Sequence, residues 1–175
     1  MTAPTRILGC DQALNATGLC LLVSDKPQTF LTLRTRATDD ADRRMDNIAL
    51  QVAQQVTGHG VELLVLEEPY IPTWVRGRKL AAMAREALVL RELGGKIEVA
   101  ARLAGAQVMW VSPPDGFKAL TGSRRGAKAG HVRMAQAYLR SYGLVLEDGE
   151  DHIADALGLA LAGSSRARFG AEEGE

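Results

Sequence analysis

Three separated segments of the chain each carry a carboxylate at or near the end of an apolar run. Asp11 ends the first run, Glu67 ends a second near the middle, and Asp155 lies in an apolar segment towards the C-terminal end. Carboxylates that folding brings together repel one another unless a hard divalent cation lies between them. The pattern therefore predicts a Mg²⁺ or Mn²⁺ site.

The distribution of charge fits a phosphodiester substrate. The formal net charge is zero, with 21 basic and 21 acidic residues, which by itself indicates no polyanionic partner. Basic residues nevertheless cluster at residues 76–96 and 115–133, whereas acidic residues cluster at residues 147–155. Basic flanks around an acidic, cation-binding centre suit a phosphate backbone. Solvated helix faces and a flexible loop are the alternative explanation of the same charges.

Length and composition favour one folded unit. The chain has 175 residues, 46% of them hydrophobic and 5% aromatic, which suits a single domain with an aliphatic core. We expect that domain at residues 1–165 and a disordered tail at residues 166–175. No apolar run approaches the roughly 20 residues that span a bilayer, and residues 1–11 lack a basic stretch followed by an apolar one. A cytoplasmic protein with no membrane partner is therefore expected.

The spacing of apolar residues and turn signals predicts an α/β domain with a five-stranded mixed sheet flanked by helices. Strands are predicted at residues 6–11, 17–24, 29–34, 61–66 and 107–111, and helices at residues 39–56, 78–103, 127–141 and 151–162. The first three strands suit an antiparallel meander, and the apolar fourth strand suits a central position. Gly94 and Gly95 could interrupt the long helix, and Pro113 and Pro114 end the fifth strand and lead into a glycine-rich basic loop. This order of elements is that of a ribonuclease H-like domain.

Four segments carry motifs that occur in the same order in one known family. They are ILGCDQALNATGLCLL, LLVLEEPY, PPDGFKALTGSRRGAKAGHV and HIADALGLAL. They resemble the opening strand and turn, the second acidic motif, the lysine-bearing region and the closing helix of bacterial RuvC-type Holliday-junction resolvases. The likeness covers residues 5–162. Gln12 and Ala13 stand where that family usually has Pro and Gly.

The resemblance implies a metal site with two Mg²⁺ or Mn²⁺ ions, bound by Asp11, Glu67, His152 and Asp155. His152 and Asp155 are three residues apart on a predicted helix and so share a face. Glu68 is the alternative to Glu67, because adjacent strand residues point to opposite faces and only one of the pair can face the ions. Asp151, which lies four residues before Asp155, is a further alternative whose other role is that of a helix N-terminal charge.

The same resemblance implies a set of DNA-binding residues. Lys118 and Lys128 are expected to hold the scissile phosphate, with Lys128 also catalytic, and Arg124 and Arg125 are expected to contact neighbouring phosphates. Exposed lysines in a glycine-rich loop are commonly ordinary surface residues. Tyr70 is a candidate for stacking on an unpaired base, with a core tyrosine as the alternative, and Trp74 is a second candidate.

A crossover junction endodeoxyribonuclease is the expected activity, giving 5′-phosphate ends by two-metal hydrolysis of DNA. Symmetric cleavage of four-way junction DNA needs two sites related by a two-fold axis, so a homodimer is expected, with a branch-migration motor complex as a further candidate partner. The candidate interface of the homodimer is the helix at residues 78–103, with Leu80, Met83, Ala87, Leu88 and Leu90. Packing of these residues against the sheet of their own chain is the alternative. The alternatives are a metal-dependent nuclease for other branched DNA or structured RNA, and a module that binds junctions without cutting them.

Overall fold

The computed structural model describes residues 5–71, 76–124 and 127–172. Its strands are β1 (Arg6–Asp11), β2 (Ala16–Val23), β3 (Lys26–Arg34), β4 (Leu63–Glu67) and β5 (Gln107–Val111). Its helices are α1 (Ala41–His59), α2 (Gly77–Leu103), α3 (Pro113–Thr121), α4 (Lys128–Arg140) and α5 (Asp151–Glu172). Every predicted strand and helix is present. The predicted α/β fold is therefore confirmed, and α3 is an addition to it.

One five-stranded sheet has the strand order β3-β2-β1-β4-β5. β1, β2 and β3 pair in antiparallel fashion, and β4 and β5 add in parallel to β1 and to each other. β1 and β4 are therefore neighbours at the centre of the sheet, and their C-terminal ends lie at the same edge. Open sheets with parallel strands commonly carry their functional groups at that edge.

The sheet is buried on both faces because its central strands are apolar at almost every position. Ile7 and Val65 pack against α5 in one core, whereas Leu8 and Leu64 pack against α1 and α2 in the other. Successive side chains of a strand point to opposite faces. Asp11 is four residues after Ile7 in β1, and Glu67 is two residues after Val65 in β4. The carboxylate that ends each strand therefore points to the face covered by α5.

Two glycines let α5 approach the sheet closely. A Cβ atom on Gly9 of β1 would lie 2.0 Å from the carbonyl oxygen of Ala156, and one on Gly18 of β2 would lie 2.2 Å from that of His152. Both separations are shorter than any real carbon–oxygen contact, so a larger residue at either position would displace the helix. The close approach brings the first turn of α5 to the end of β1.

The structure corrects the expected loop after Pro113. Pro113 and Pro114 occupy the first positions of α3, where the N–H that proline lacks would have no partner within the helix. The helix continues through Gly116 and ends at Gly122, which has the left-handed φ of 76°. Lys118 therefore lies on a helix, and only the segment after Thr121 forms the basic loop.

Two long helices also differ from expectation. α2 is continuous through Gly94, where a Cβ atom would lie 2.4 Å from the Trp110 ring, so this glycine admits the indole instead of ending the helix. α5 continues past residue 165, where the disordered tail was expected to begin, as far as Glu172. Arg166 contributes to this extension through an ion pair with Asp115, at 2.7 Å. In the described part of the chain, no helix is long and apolar enough to cross a bilayer.

Candidate active site

Asp11 and Glu67 end the central strands side by side on the face covered by α5. Cys10 and Leu66, the residues before them, are register partners in the parallel β1–β4 pair. Asp11 is 8% exposed, and burial together with Asp155 raises its pKa, although the hydrogen bond from His152 opposes the rise. Burial, Asp11 and Asp155 raise the pKa of Glu67 to about 8. Both carboxyl groups are therefore protonated more easily than exposed ones.

α5 supplies the opposite wall of the site. His152 Nδ1 lies 2.7 Å from Oδ2 of Asp11, and this hydrogen bond raises the pKa of His152. Asp155 follows one turn later. The predicted convergence of Asp11, Glu67, His152 and Asp155 is thus present at one edge of the sheet, built from two strands and one helix.

Lys128, the first residue of α4, faces the acidic residues of α5. Its Nζ lies 3.1 Å from Oδ2 of Asp151 and 3.9 Å from Oδ2 of Asp155. Partial burial lowers its pKa, but the hydrogen bond to Asp151 and the charges of Asp155 and Asp151 outweigh this and raise it. Lys128 therefore remains a cation at the site, and Asp151 acts as its partner, consistent with a position at the helix N-terminus.

A cavity of about 380 Å³ opens between these elements. Glu67, Lys128 and Asp155 line it together with residues that were not predicted to belong to the site: Pro113, Gly116, Phe117, His131 and Leu159. The lining therefore combines ionisable side chains with apolar ones. Cations bound at the carboxylates, together with Lys128, would let such a cavity receive a phosphate group.

The side chains at this edge fit divalent cations by their chemistry. Carboxylate oxygens with one imidazole nitrogen suit Mg²⁺ or Mn²⁺. Burial, together with Asp11 and Asp155, raises the pKa of Glu67, and a bound cation would favour its ionised form. Among the described residues, no three such side chains stand close enough to enclose an ion in their present rotamers. The carboxylates of Asp11 and Asp155 instead contact His152 and Lys128, so binding of a cation would require these contacts to rearrange.

Gln12 holds the two strand ends together, a role that the sequence did not reveal. Its Nε2 donates to the carbonyl oxygen of Glu67, and its Oε1 accepts from the N–H of Glu67 at 3.1 Å. The side chain is 4% exposed, so both bonds lie out of water. A side-chain amide here continues the pairing of β1 with β4 by one more step. In the same turn, Thr17 Oγ1 donates to the carbonyl of Ala13 at 2.8 Å and accepts from its N–H at 3.2 Å.

Glu68 and Tyr70 follow Glu67 in the chain and lie outside the cavity. Glu68 is exposed and lines a groove beside α2, as strand alternation requires. Tyr70 is 50% exposed, which excludes the alternative of a core tyrosine. Trp74 falls outside the described residues.

The other predicted DNA-binding residues lie around the α3–α4 connection. Lys118 is exposed on α3, next to Phe117, which lines the cavity. Arg124 forms an ion pair with Asp115 at 2.7 Å while its side chain stays 64% exposed. Arg125 falls outside the described residues. The structure thus brings Lys128 into the site and leaves Lys118 and Arg124 beside it.

The comparisons with known proteins find similarity to Holliday-junction resolvases. No protein-family model matches the chain. The curated crossover junction endodeoxyribonuclease RuvC of Rhodopirellula baltica is 26% identical over 161 residues, which cover 90% of this chain and 84% of that protein. The structure of RuvC from Thermus thermophilus superposes with a TM-score of 0.69 at 25% identity, covering 94% of this chain and 96% of that one. The fold is that of RuvC.

Two further structures bear on this likeness. Thermus thermophilus RuvC in complex with a Holliday junction substrate has a TM-score of 0.68 at 25% identity and covers 95% of this chain and 96% of its own. The yeast mitochondrial Holliday junction resolvase has a TM-score of 0.61 at 12% identity, covering 97% of this chain and 83% of its own, and shows the fold alone. The predicted resemblance to RuvC-type resolvases and the ribonuclease H-like fold are confirmed.

Proposed function

We propose that this protein is a metal-dependent, structure-specific endonuclease that resolves Holliday junctions by symmetric phosphodiester hydrolysis in DNA recombination and repair. One observation carries the proposal: Asp11, Glu67, His152 and Asp155 lie together at one edge of a RuvC-like sheet. Likeness to RuvC over nearly the whole chain supports the same activity.

The residues of the site have distinct roles in this reaction. The carboxylates of Asp11, Glu67 and Asp155 and the imidazole of His152 would hold the cations. Two bound Mg²⁺ or Mn²⁺ ions would supply a water of lowered pKa and stabilise charge on the leaving 3′ oxygen. Lys128 is a cation that lines the cavity and would neutralise charge that develops on the scissile phosphate. No covalent intermediate with the protein is required.

DNA beyond the cut would meet the basic surface around α3 and α4. Lys118, Arg124 and Arg125 are assigned to phosphate contacts, and Tyr70 to stacking on a base that the junction leaves unpaired. The exposure of Lys118, Arg124 and Tyr70 supports these assignments. Arg124 would exchange its ion pair with Asp115 for a phosphate contact, which favours adjustment of this loop on binding.

A homodimer is part of the proposal, and the N-terminal half of α2 supports it. The buried residues of this helix begin only at Leu93, whereas Leu80 and Leu88 are 36% and 71% exposed. Leu88 also borders a groove of about 430 Å³ beside Pro69 and Ile71. An apolar helix surface that does not pack on its own sheet is suited to a second copy. We place the enzyme in the cytoplasm, with a branch-migration motor complex as a further partner.

Cleavage of a mobile four-way junction, with wild-type protein and Asp11→Asn compared in Mg²⁺ and Mn²⁺, tests the proposal. Wild type should produce paired, symmetric nicks with 5′-phosphate ends. Asp11→Asn should bind the junction but lose cutting by several orders of magnitude, because it removes a charged ligand that bridges β1 and α5. Asp39→Asn, a change of an exposed aspartate outside the site, is the matched control.

Each other outcome has a defined meaning. Near-normal cutting by Asp11→Asn would overturn the assigned site. Tight junction binding by wild type without any cutting would favour a binding module. Efficient cutting of flaps, forks or structured RNA in preference to four-way junctions would redirect the substrate assignment, and unpaired nicks would contradict the symmetric dimer.

A further inference from the structure

His131 is a buried, polar residue that the proposed reaction does not yet use. Its side chain is 2% exposed, yet it lines the same cavity as Glu67 and Asp155. Both of its ring nitrogens are buried and make no aligned hydrogen bond. Among the buried side-chain polar atoms in the described part of the chain, only Thr32 Oγ1 shares this property. Buried polar atoms of folded proteins nearly always have partners, so an exception at an active site calls for a functional reason.

The imidazole is held in place by apolar contacts. Its ring stacks on Phe117 of α3, with centroids 4.7 Å apart and planes inclined by 14°. On α5, the backbone at Gly158 passes close to the ring, since a Cβ atom added there would lie 3.5 Å from Cε1 of His131. Because α3 and α5 both pack against the ring, its position is fixed before any ligand binds.

One edge of this fixed ring faces Asp155. His131 Nε2 lies 3.1 Å from Oδ1 of Asp155, at hydrogen-bond distance although the two groups are not aligned. The other oxygen, Oδ2, lies 3.9 Å from Lys128 Nζ. Lys128 and His131 are three residues apart on α4 and therefore share a face. The first turn of α4 thus approaches both oxygens of the same carboxylate.

We propose that His131 is a positioning residue that orients Asp155 for divalent-cation binding. Its N–H would hold Oδ1, so that Oδ2 turns towards the space shared with Glu67. Partners of this kind fix the direction of a ligand's lone pairs and strengthen its hold on the ion. The inference rests on the proposed function, since it assigns Asp155 to the cation site.

Direct measurement of Mn²⁺ binding, by calorimetry on protein without DNA, separates this role from packing. His131→Leu keeps the apolar contacts with Phe117 and removes the ring nitrogens. It should fold with an unchanged or higher Tm but bind Mn²⁺ about 10–100-fold more weakly, the usual loss when such a partner is removed. His131→Asn and His131→Gln, which retain an N–H donor, should recover part of that affinity.

Matched variants and DNA assays complete the test. His59→Leu makes the same chemical change at the C-terminal end of α1, beside Arg6 and hence at the opposite end of β1, and should leave Mn²⁺ affinity unchanged. Junction affinity in EDTA should be the same for wild type and His131→Leu, while the Mn²⁺ concentration for half-maximal cleavage should rise with the loss of Mn²⁺ affinity.

The outcomes distinguish this inference from the function on which it rests. Equal Mn²⁺ affinity of wild type and His131→Leu would overturn the positioning role and leave the nuclease proposal intact. Equal losses in all three His131 variants, including the two that keep a donor, would also overturn it and assign the residue to packing. A wild-type protein that bound no Mn²⁺ would overturn both.

Discussion

The sheet side and the helix side of the site hold their carboxylates in different ways. Glu67 is fixed through its backbone, because Gln12 bonds to its N–H and carbonyl while its carboxylate stays near Asp11 and Asp155. Asp155 instead projects from a helix towards Lys128 and His131. In the described part of the chain, Glu67 therefore has no ion pair, whereas Asp155 on the helix side lies 3.9 Å from the cation of Lys128.

This difference indicates a division of labour. Sheet positions are rigid and give precise placement, so they suit ligands that must stay close together despite repulsion. Helix side chains with ionic partners can exchange those partners for a metal ion or a phosphate. We therefore expect loss of a sheet carboxylate to affect chemistry more than loss of the groups that support it.

The largest effect should come from Glu67→Gln measured against Glu68→Gln. Strand alternation and the cavity lining place Glu67 at the site, while Glu68 lies in the groove beside α2. Neutralising Glu67 should lower the single-turnover rate constant of junction cleavage by about 10³-fold or more, as loss of a group that acts within a catalytic unit does. Glu68→Gln should cut at the wild-type rate in the same single-turnover assay. Equal losses in both variants would contradict the assignment of Glu67, and not Glu68, to the site.

A smaller loss is expected from Gln12→Ala, which leaves every proposed ligand in place. Without the amide, the peptide of Glu67 loses two buried hydrogen bonds, at about 1–3 kcal/mol for each unsatisfied group. A displacement of the carboxylate by about 1 Å would lower kcat by roughly 10²-fold. Denaturant unfolding and kcat at a temperature where the variant is folded measure the two effects.

Gln51→Ala serves as the control for Gln12→Ala, because Gln51 bonds to Asn47 on the outer surface of α1. Gln51→Ala should change neither the free energy of unfolding nor kcat appreciably. A Gln12→Ala protein that is destabilised but turns over at the wild-type rate would show that the amide stabilises the fold without placing Glu67.

Most of the fold was predictable because it follows from local patterns. The apolar runs that end at Asp11 and Glu67 gave the central strands, and the motif order gave the resemblance to RuvC-type resolvases and four convergent side chains. The helix after Pro113 was missed because proline and glycine were interpreted as loop signals, although proline is favourable in a first helical turn.

The supporting residues were not predictable, since their roles arise from tertiary contacts. Gln12 bonds to a residue 55 positions away, and His131 is buried only because Phe117 and α5 pack around it. Periodicity treats both as polar surface positions. The spacing of three residues between Lys128 and His131 was a usable signal, because it places a second polar side chain on the face that meets α5.

The smallest effect concerns stability without metal, where the two sides should respond differently to pH. The pKa of Glu67 in the folded protein is about 8, above its ordinary value of 4.5. Between these values the folded state binds a proton that the unfolded state does not, so this group lowers the free energy of unfolding as pH rises. Glutamine cannot ionise. In EDTA, Glu67→Gln should therefore gain Tm relative to wild type as pH increases from 5 to 9, whereas Glu68→Gln, changed at an exposed site, should follow wild type.

Added Mn²⁺ should reverse that order, because an ion that binds only the folded state stabilises it and Glu67→Gln has lost a proposed ligand. Wild type should then gain more Tm from Mn²⁺ at pH 8 than the variant does. A Tm difference in EDTA that stayed the same at every pH would mean that the protein's own cations already offset the carboxylate of Glu67. The charges of the site would then be balanced before metal binds, and the sheet side and the helix side would not differ in this respect.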